Sequence, residues 1–267
     1  MEAASKDSLH PLLGVVIPTY NEQDNIAPLM TALGQWGGMH IVFVDDGSTD
    51  GTRQQIREWQ DTDPSRVTLI NRGHKFGLAT AYLTGFRYLL DHSPVAWIAQ
   101  MDADGSHRPA DLQRLWEQAQ RGYDLVIGSR YVPGGRTVNW SPLRQLLSQS
   151  GSWYSRTILG CRVQDITGGF KVWHRSVLQR LPLEVVRSHG FGFQIEMTYL
   201  AYLSGARITE TPITFYERAT GQSKMSWRIT VEALRLVWVL RWHQAQLLHD
   251  IHGPRRIQTG SVSGIDK

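Results

Sequence analysis

The sequence predicts an α/β protein with a mainly parallel sheet and helices on both faces. Over the first half of the chain, short apolar runs alternate with stretches of helical periodicity, a pattern typical of βαβ units. The chain has 267 residues, of which 41% are hydrophobic, so it can bury the core of one large domain. Ligands of such sheets bind at the carboxyl ends of the strands. We therefore expect the functional side chains at that edge.

The elements of the first half follow from this alternation. Five strands are predicted, at residues 12–17, 40–44, 67–70, 95–101 and 125–127. Four helices are predicted between them, at residues 24–35, 52–60, 78–91 and 110–121. Pro109 suits the first turn of the last of these helices, where no backbone hydrogen bond is needed from its nitrogen. Four crossovers between five strands predict parallel neighbours.

The second half of the chain is more mixed. A helix is predicted at residues 143–159 and a glycine-rich turn at 167–169. Two further helices and a strand are predicted at residues 176–181, 193–203 and 207–215. The domain prediction is an N-terminal tail, a catalytic domain, an amphipathic helix and a flexible tail, at residues 1–11, 12–225, 226–250 and 251–267.

The last predicted helix, at residues 226–249, has two apolar sides. One side carries Trp227, Val231, Trp238 and Trp242, and the other carries Ile229, Leu236, Leu240 and Leu247. One side is expected to pack on the protein body. The other is suited to a membrane interface, where Trp and Arg are favoured. The alternative is that both sides are buried, in the fold or in a dimer.

Composition narrows the expected partners and compartment. Residues 218–256 contain seven Lys or Arg against two Asp or Glu. This excess of positive charge indicates an anionic partner, such as phosphate or an acidic lipid surface. The alternative is a solvated charged tail. Nucleic acid is not an expected partner. Cys161 is the single cysteine, so no intrachain disulfide is expected. The start lacks the features of a secretory signal, and no segment approaches the ~20 apolar residues of a membrane span.

Two acidic pairs follow predicted strands. Asp102 and Asp104 are two residues apart at the end of one apolar run, and Asp45 and Asp46 end another. Carboxylates at one edge of a sheet can share a hard divalent cation with phosphate oxygens of a ligand. This pattern predicts a metal-dependent site for an activated phosphate compound. Asp45 is expected to cap its turn, and His107 to shape the entry to the following helix.

Further polar residues follow the first three strands. Tyr20 could stack on a base, and Glu22 could accept hydrogen bonds from ligand hydroxyls. Asp46 could bind a ribose or the edge of a base. Arg72 and Lys75 precede a helix start suited to phosphate, and they are either phosphate contacts or solvated loop charges.

Six motifs carry a resemblance to a known family. They are VIPTYNE (16–22), VDDGSTDGT (44–52), MDADGSHRP (101–109), GSRYVPGG (128–135), DITGGFK (165–171) and PITFYERATGQSK (212–224). With these motifs the chain resembles the family 2 glycosyltransferases, and within them the polyprenyl- or dolichyl-phosphate mannose synthases. The resemblance implies a GT-A nucleotide-diphospho-sugar transferase fold with a Rossmann-like sheet.

The resemblance also implies the ligand-binding residues. Nucleotide-sugar contacts are implied for Pro18, Tyr20, Glu22, Val44, Asp46, Asp102, Ala103, Asp104, Arg130, Arg218 and Lys224. Mg²⁺ or Mn²⁺ is implied at Asp102, Asp104 and Ser106, where some relatives carry Gln in place of Ser106. The lipid phosphate is implied at Arg130, Arg144 and Ser148. Catalytic roles are implied for Asp104, Arg130, Arg218 and Lys224.

The implied reaction is inverting transfer of mannose from GDP-mannose to a polyprenyl phosphate on the cytoplasmic face of a membrane. The enzyme would be peripheral, either on the lipid surface or docked on a separate membrane subunit. One alternative is a related transferase that uses UDP-glucose or another sugar nucleotide with a lipid phosphate or a hydroxyl acceptor. A hydroxyl acceptor needs a general base, for which Glu196 is the candidate. Another alternative is a non-catalytic nucleotide-binding or scaffold subunit.

Overall fold

The computed structural model describes residues 13–186, 188, 190–217 and 227–253. The strands in these ranges are β1 (Leu13–Thr19), β2 (Met39–Asp45), β3 (Val67–Asn71), β4 (Trp97–Gln100), β5 (Leu125–Ser129), β6 (Arg136–Val138), β7 (Lys171–His174), β8 (Ile208–Pro212) and β9 (Thr214–Tyr216). The helices are α1 (Gln23–Gly34), α2 (Thr52–Thr62), α3 (Leu78–His92), α4 (Pro109–Ala119), α5 (Pro142–Leu159), α6 (Arg175–Arg180), α7 (Gly190–Leu203), α8 (Trp227–Trp242) and α9 (Gln244–His252).

Seven strands form the main sheet, in the order β3-β2-β1-β4-β7-β5-β8. The pairs β1–β2, β2–β3, β1–β4 and β5–β8 are parallel, so the predicted mainly parallel α/β sheet is confirmed. The exception is β7, which runs antiparallel to both β4 and β5 and separates them. No strand is predicted there, because a four-residue run that contains a lysine carries little apolar signal.

Two other predictions about elements are wrong in detail. The strand predicted at residues 207–215 is interrupted at Ile213, and its second part, β9, pairs in parallel with β6 in a separate two-stranded sheet. The single helix predicted at residues 226–249 is interrupted at His243, between α8 and α9. The interruption places Leu247 and Ile251 of α9 in the core. Burial of these side chains compensates for the break in the helix.

Two buried clusters cover the two faces of the sheet. One contains side chains of α1, α2 and α4, and the other contains side chains of α3 and α5 to α9. Gly85 of α3 lies against β1 so closely that an added Cβ would be 2.3 Å from Cγ1 of Val16. Among the described residues, no helix combines the length and hydropathy that a membrane crossing requires.

Gly85→Ala should destabilise the protein by about 1–3 kcal/mol, because its methyl group would overlap the stiff Val16 side chain. Urea denaturation measures this change. Gly151→Ala is the matched control, since a Cβ at this position of α5 meets no atom within 4 Å. It should leave the free energy of unfolding unchanged or raise it by up to about 1 kcal/mol. Equal losses in the two variants would contradict the close approach of α3 to β1.

Candidate active site

The carboxyl ends of β2, β1 and β4 lie side by side and carry the predicted acidic residues. Asp45 ends β2 and is fully buried. Its carboxylate accepts hydrogen bonds from Thr19 Oγ1 at 3.0 Å and from the backbone nitrogens of Gly47 and Ser48 at 3.1 and 2.9 Å. Asp45 therefore caps its turn, as predicted.

Asp46 occupies the next position and is already engaged on both carboxylate oxygens. Oδ1 pairs with Arg72, and Oδ2 accepts a hydrogen bond from the backbone nitrogen of Gly77 at 2.8 Å. A nucleotide group at Asp46 would therefore share these oxygens with the protein. Arg72 is largely buried by this pairing and also donates to Thr80 Oγ1 at 2.8 Å, so its interpretation as a solvated charge is wrong.

The segment after β1 presents Tyr20 at the same edge. Tyr20 is 37% exposed, and the Lys75 ammonium lies 3.7 Å from its ring centroid. Glu22 immediately precedes α1 and accepts a hydrogen bond from Asn25 Nδ2 at 2.7 Å. This arrangement leaves an aromatic surface and a cation on which a base and a phosphate can bind.

Two residues implied in nucleotide binding lie deeper. Val44 pairs with Pro18 in the register of β2 and β1, and its side chain is fully buried in the core. Ala103 is 4% exposed. Their side chains offer almost no accessible surface, so contacts of Val44 or Ala103 with a nucleotide would use the main chain.

Asp102 lies in the loop between β4 and α4, residues 101–108, which we call the acidic loop. Two contacts hold Asp102, one from α3 and one from this loop. Tyr82 donates its hydroxyl to Asp102 Oδ1 at 2.7 Å, and the backbone nitrogen of Asp102 donates to His107 Nδ1 at 3.0 Å. Because Nδ1 of His107 accepts this hydrogen bond, its lone pair is not available to a metal. His107 shapes the loop, as predicted. Asp104 is 5% exposed and accepts a hydrogen bond from the backbone nitrogen of Ser106 at 3.0 Å.

The donor set of this loop fits a hard divalent cation. Ser106 Oγ is buried and has no hydrogen-bond partner among the described residues. It would add a neutral oxygen to the carboxylates of Asp102 and Asp104. Within the described part of the chain, no group of three or more His, Cys, Asp or Glu side chains could hold a metal by itself. The remaining positions around Mg²⁺ or Mn²⁺ would come from phosphate oxygens and water.

Arg130 lies at the end of β5 in a buried ion pair with Asp165. Its Nε and Nη2 donate to the two oxygens of Asp165 at 2.7 and 2.6 Å. Burial alone would lower the pKa of Arg130, but the Asp165 carboxylate raises it above the usual value. The backbone nitrogen of Asp165 donates to Glu210 Oε1 at 2.8 Å, which fixes the pair to β8. Arg130 is thus a permanent cation in one orientation.

A second guanidinium lies next to Arg130. The Cζ atoms of Arg130 and Arg144 lie 5.4 and 4.2 Å from the ring centroid of Trp140. Arg144 also pairs with Glu217 at 2.6 Å. Ser148, one turn further along α5, accepts a hydrogen bond from the Tyr131 hydroxyl at 2.6 Å. The structure thus brings Arg130 and Arg144 onto one indole ring and joins Ser148 to the residue that follows Arg130.

Phe215 connects these cations to the acidic loop. Its ring centroid is 5.5 Å from Arg130 Cζ and 5.5 Å from the ring centroid of His107. The neighbouring Tyr216 donates its backbone nitrogen to the Ser106 carbonyl at 3.4 Å. The acidic loop and the two cations, Arg130 and Arg144, are therefore two sides of one site.

The remaining predicted residues fall in two places. Glu196 of α7 accepts hydrogen bonds from the backbone nitrogen and the hydroxyl of Ser188. It lines a cavity of ≈ 590 Å³ between α7 and the C-terminal helices α8 and α9. Arg218 and Lys224 lie outside the described residues.

Three residues of this site carry no specific prediction from the sequence. Tyr82 is one aromatic residue within a helical pattern, and its bond to Asp102 depends on how α3 packs. Asp165 belongs to a quoted motif, but its pairing with Arg130 spans 35 residues. Trp140 is an isolated aromatic residue in a loop. A signal for Asp165 exists, since a buried arginine needs an acidic partner.

Asp165→Ala should lower the free energy of unfolding by about 3–5 kcal/mol, because it leaves a buried guanidinium without a counter-charge. Chemical denaturation measures this loss. Asp124→Ala is the control, because it breaks an ion pair with the largely exposed Arg207. That loss should be clearly smaller than the loss in Asp165→Ala, because solvent screens an exposed ion pair. Similar losses in both variants would show that the Arg130–Asp165 pair does not stabilise the fold as described.

Comparison with known proteins agrees with this geometry. The model of the protein family described as "Glycosyl transferase family 2" matches residues 14–183. Polyprenol monophosphomannose synthase of Mycolicibacterium smegmatis is 44% identical over 231 residues, which cover 85% of this chain and 86% of that protein. Undecaprenyl-phosphate mannosyltransferase of Micrococcus luteus is 45% identical over 235 residues, which cover 85% of this chain and 92% of that protein.

A solved structure confirms the GT-A fold. Glucosyl-3-phosphoglycerate synthase from Mycobacterium tuberculosis, in complex with Mn²⁺, UDP and glucosyl-3-phosphoglycerate, has a TM-score of 0.60 at 17% identity. The match covers 92% of this chain and 81% of that chain. The predicted resemblance and the predicted enzyme class are therefore confirmed, and the chain belongs to glycosyl transferase family 2.

Proposed function

We propose that the protein transfers mannose from GDP-mannose to a polyprenyl monophosphate, giving β-linked mannosyl phosphate and GDP. The names of the two relatives, at 44% and 45% identity, support mannose and a polyprenyl phosphate. The observation that carries the proposal is the meeting of the acidic loop and the Arg130–Arg144 pair at Phe215 and Trp140. A carboxylate side suits a cation-bound diphosphate, and a guanidinium side suits a second phosphate.

The reaction requires charge stabilisation more than proton transfer. An oxygen of the lipid phosphate attacks the anomeric carbon, and the bond from that carbon to the diphosphate breaks, with its electron pair leaving on GDP. Mg²⁺ or Mn²⁺ would neutralise the charge that develops on the leaving group. A lipid monophosphate is already ionised near pH 7, with a second pKa of about 6, so it needs no general base. Attack from the opposite side inverts the α-linked donor to a β-linked product.

The two arginines suit different parts of this task. Arg130 is held by a buried carboxylate, so its charge and position are fixed. Arg144 pairs with Glu217, whose side chain is 43% exposed. Such an exposed pair stabilises a protein by about 0–1 kcal/mol, so a phosphate can replace Glu217 at low cost. We propose Arg144 and Ser148 as the exchangeable contacts of the acceptor, with Arg130 as the fixed one.

Apolar surface on two packed helices supports a membrane-bound acceptor. Helix α5, which carries Arg144 and Ser148, also exposes apolar side chains: Leu143, Leu146, Leu147 and Trp153. Helix α8 packs beside it and exposes Leu234, Trp238, Val239 and Trp242, the last to 74%. The opposite side of α8 is buried through Val237 and Leu240. We propose that this surface lies on the cytoplasmic face of the membrane, or on a separate membrane subunit.

Asp104→Asn should lower kcat/KM for mannosyl transfer by about 100-fold or more, because it removes a carboxylate that would hold the cation. The assay uses labelled GDP-mannose and a short polyprenyl phosphate with Mn²⁺. The control variant is Asp124→Asn, at the opposite end of the sheet, which should retain activity. Transfer from UDP-glucose but not from GDP-mannose would instead assign the alternative donor. Transfer to a hydroxyl acceptor that is lost in Glu196→Gln would assign the alternative acceptor.

The double substitution Leu143→Glu with Leu147→Glu should reduce binding to phosphatidylglycerol vesicles at least about tenfold, because it removes two exposed apolar groups and adds two negative charges. Vesicle flotation measures the bound fraction. Gln54→Glu with Gln113→Glu places the same charge change on α2 and α4 and should retain binding. Equal binding of both double variants would contradict the assignment of α5 to the lipid surface.

A further inference from the structure

A buried polar hub, formed by Lys171, Gln194 and Gln100, lies behind the acidic loop. Lys171 Nζ donates to the main-chain oxygen and to Oε1 of Gln194, at 3.1 and 2.8 Å. The same Oε1 accepts from Gln100 Nε2 at 2.8 Å. All three side chains are 0–3% exposed. The hub therefore ties together β7, α7 and β4.

Burial of the Lys171 ammonium in this hub is energetically unfavourable. Burial lowers the pKa of Lys171 to about 7, although Asp165 acts in the opposite direction. The hydrogen bonds of Nζ go to amide oxygens and not to a carboxylate. A buried ammonium without an ion-pair partner destabilises a fold relative to an apolar side chain of similar length. Stability alone does not explain a lysine at this position.

The contact of Asp102 with His107 depends on Phe170, the residue before Lys171. Phe170 stacks on His107, with ring centroids 4.5 Å apart and an interplanar angle of 11°. His107 in turn accepts the hydrogen bond from the Asp102 backbone nitrogen. A Cβ at Gly169 would be 3.4 Å from Gln194 Nε2 and 3.7 Å from His107 Cε1, so the hub and His107 pack tightly here.

The contact of Asp102 with Tyr82 depends on Phe193, the residue before Gln194. Phe193 lies parallel to Tyr82, with ring centroids 6.0 Å apart and an interplanar angle of 4°. Tyr82 donates its hydroxyl to Asp102 Oδ1. Gln100, the third hub residue, is two positions before Asp102 in the chain. Each of the three hub residues is therefore connected to Asp102 by a different route.

We propose that Lys171 and Gln194 are positioning residues, which orient Asp102 for the cation-bound donor by fixing Phe170 under His107 and Phe193 beside Tyr82. The inference rests on the proposed function only in taking Asp102 as a ligand of the cation. Partners in contact with metal ligands commonly change metal affinity by about 10–100-fold when they are substituted. The hub acts one contact further away, so an effect at the lower end of this range is expected.

Lys171→Met tests the inference, because it keeps the length of the side chain and removes the charge and the donors. The apparent Mn²⁺ affinity, measured by calorimetry with saturating GDP and with saturating UDP, should fall about tenfold. The melting temperature should stay equal or rise, because a buried charge is removed. A purely structural lysine would give the reverse pattern, with lower stability and unchanged Mn²⁺ affinity, and that result would overturn the inference.

Phe193→Leu provides a second test that leaves the hub intact. It removes the ring beside Tyr82 and should also weaken Mn²⁺ binding, and wild-type affinity in both variants would overturn the inference. His40→Leu is the control. His40 is likewise buried with a lowered pKa, and it bonds to Thr68 and Ser93 near the opposite ends of the strands, so its substitution should not change Mn²⁺ affinity. Absence of transfer from GDP-mannose by the wild type would overturn the proposed function and leave these binding results valid.

Discussion

The buried pair of Arg130 and Asp165 is the interaction on which the site depends. A guanidinium inside a protein is stable only when a carboxylate compensates its charge. This requirement fixes the end of β5 to the segment that leads into β7. Glu210 of β8 holds the backbone of Asp165, and the rings of Trp140 and Phe215 lie within 5.4 and 5.5 Å of the guanidinium. The proposed phosphate-binding side of the site is therefore built around a cation whose position is fixed.

The antiparallel strand β7 explains how this segment reaches the active edge. Parallel strands bring only their carboxyl ends to that edge, whereas an antiparallel strand brings its beginning. Because β7 lies between β4 and β5, the chain before it passes beside the acidic loop. Asp165 is thereby placed next to Arg130, which follows β5, and Phe170 next to His107, which follows β4. The segment that leads into one reversed strand supplies both the partner of the fixed cation, Asp165, and the ring that stacks on His107, Phe170.

The site combines rigid and exchangeable charges in a way that suits two anionic ligands. Asp102 is held through its side chain and its backbone, and Arg130 is held by a buried carboxylate. Arg144 is paired with the exposed Glu217. The helix that carries Arg144, α5, also presents leucines to solvent. A phosphate that arrives from a lipid surface would meet the exchangeable cation before the fixed one.

The alternation of apolar runs and helical patterns determined the α/β class and placed the five strands β1 to β5 within two residues at each end. It also determined the edge at which Asp46, Asp102 and Asp104 lie. These features depend on local periodicity, which a sequence displays directly. Only the tertiary structure decided that β7 enters the sheet in reverse, that the C-terminal helix is interrupted at His243, and that Arg72 belongs to Asp46. It also decided that Tyr82 and His107 contact Asp102. These features join residues up to 77 positions apart, as Trp97 and His174 are in the pairing of β4 with β7. Such contacts are set by the packing of the elements on one another, which local sequence patterns do not encode.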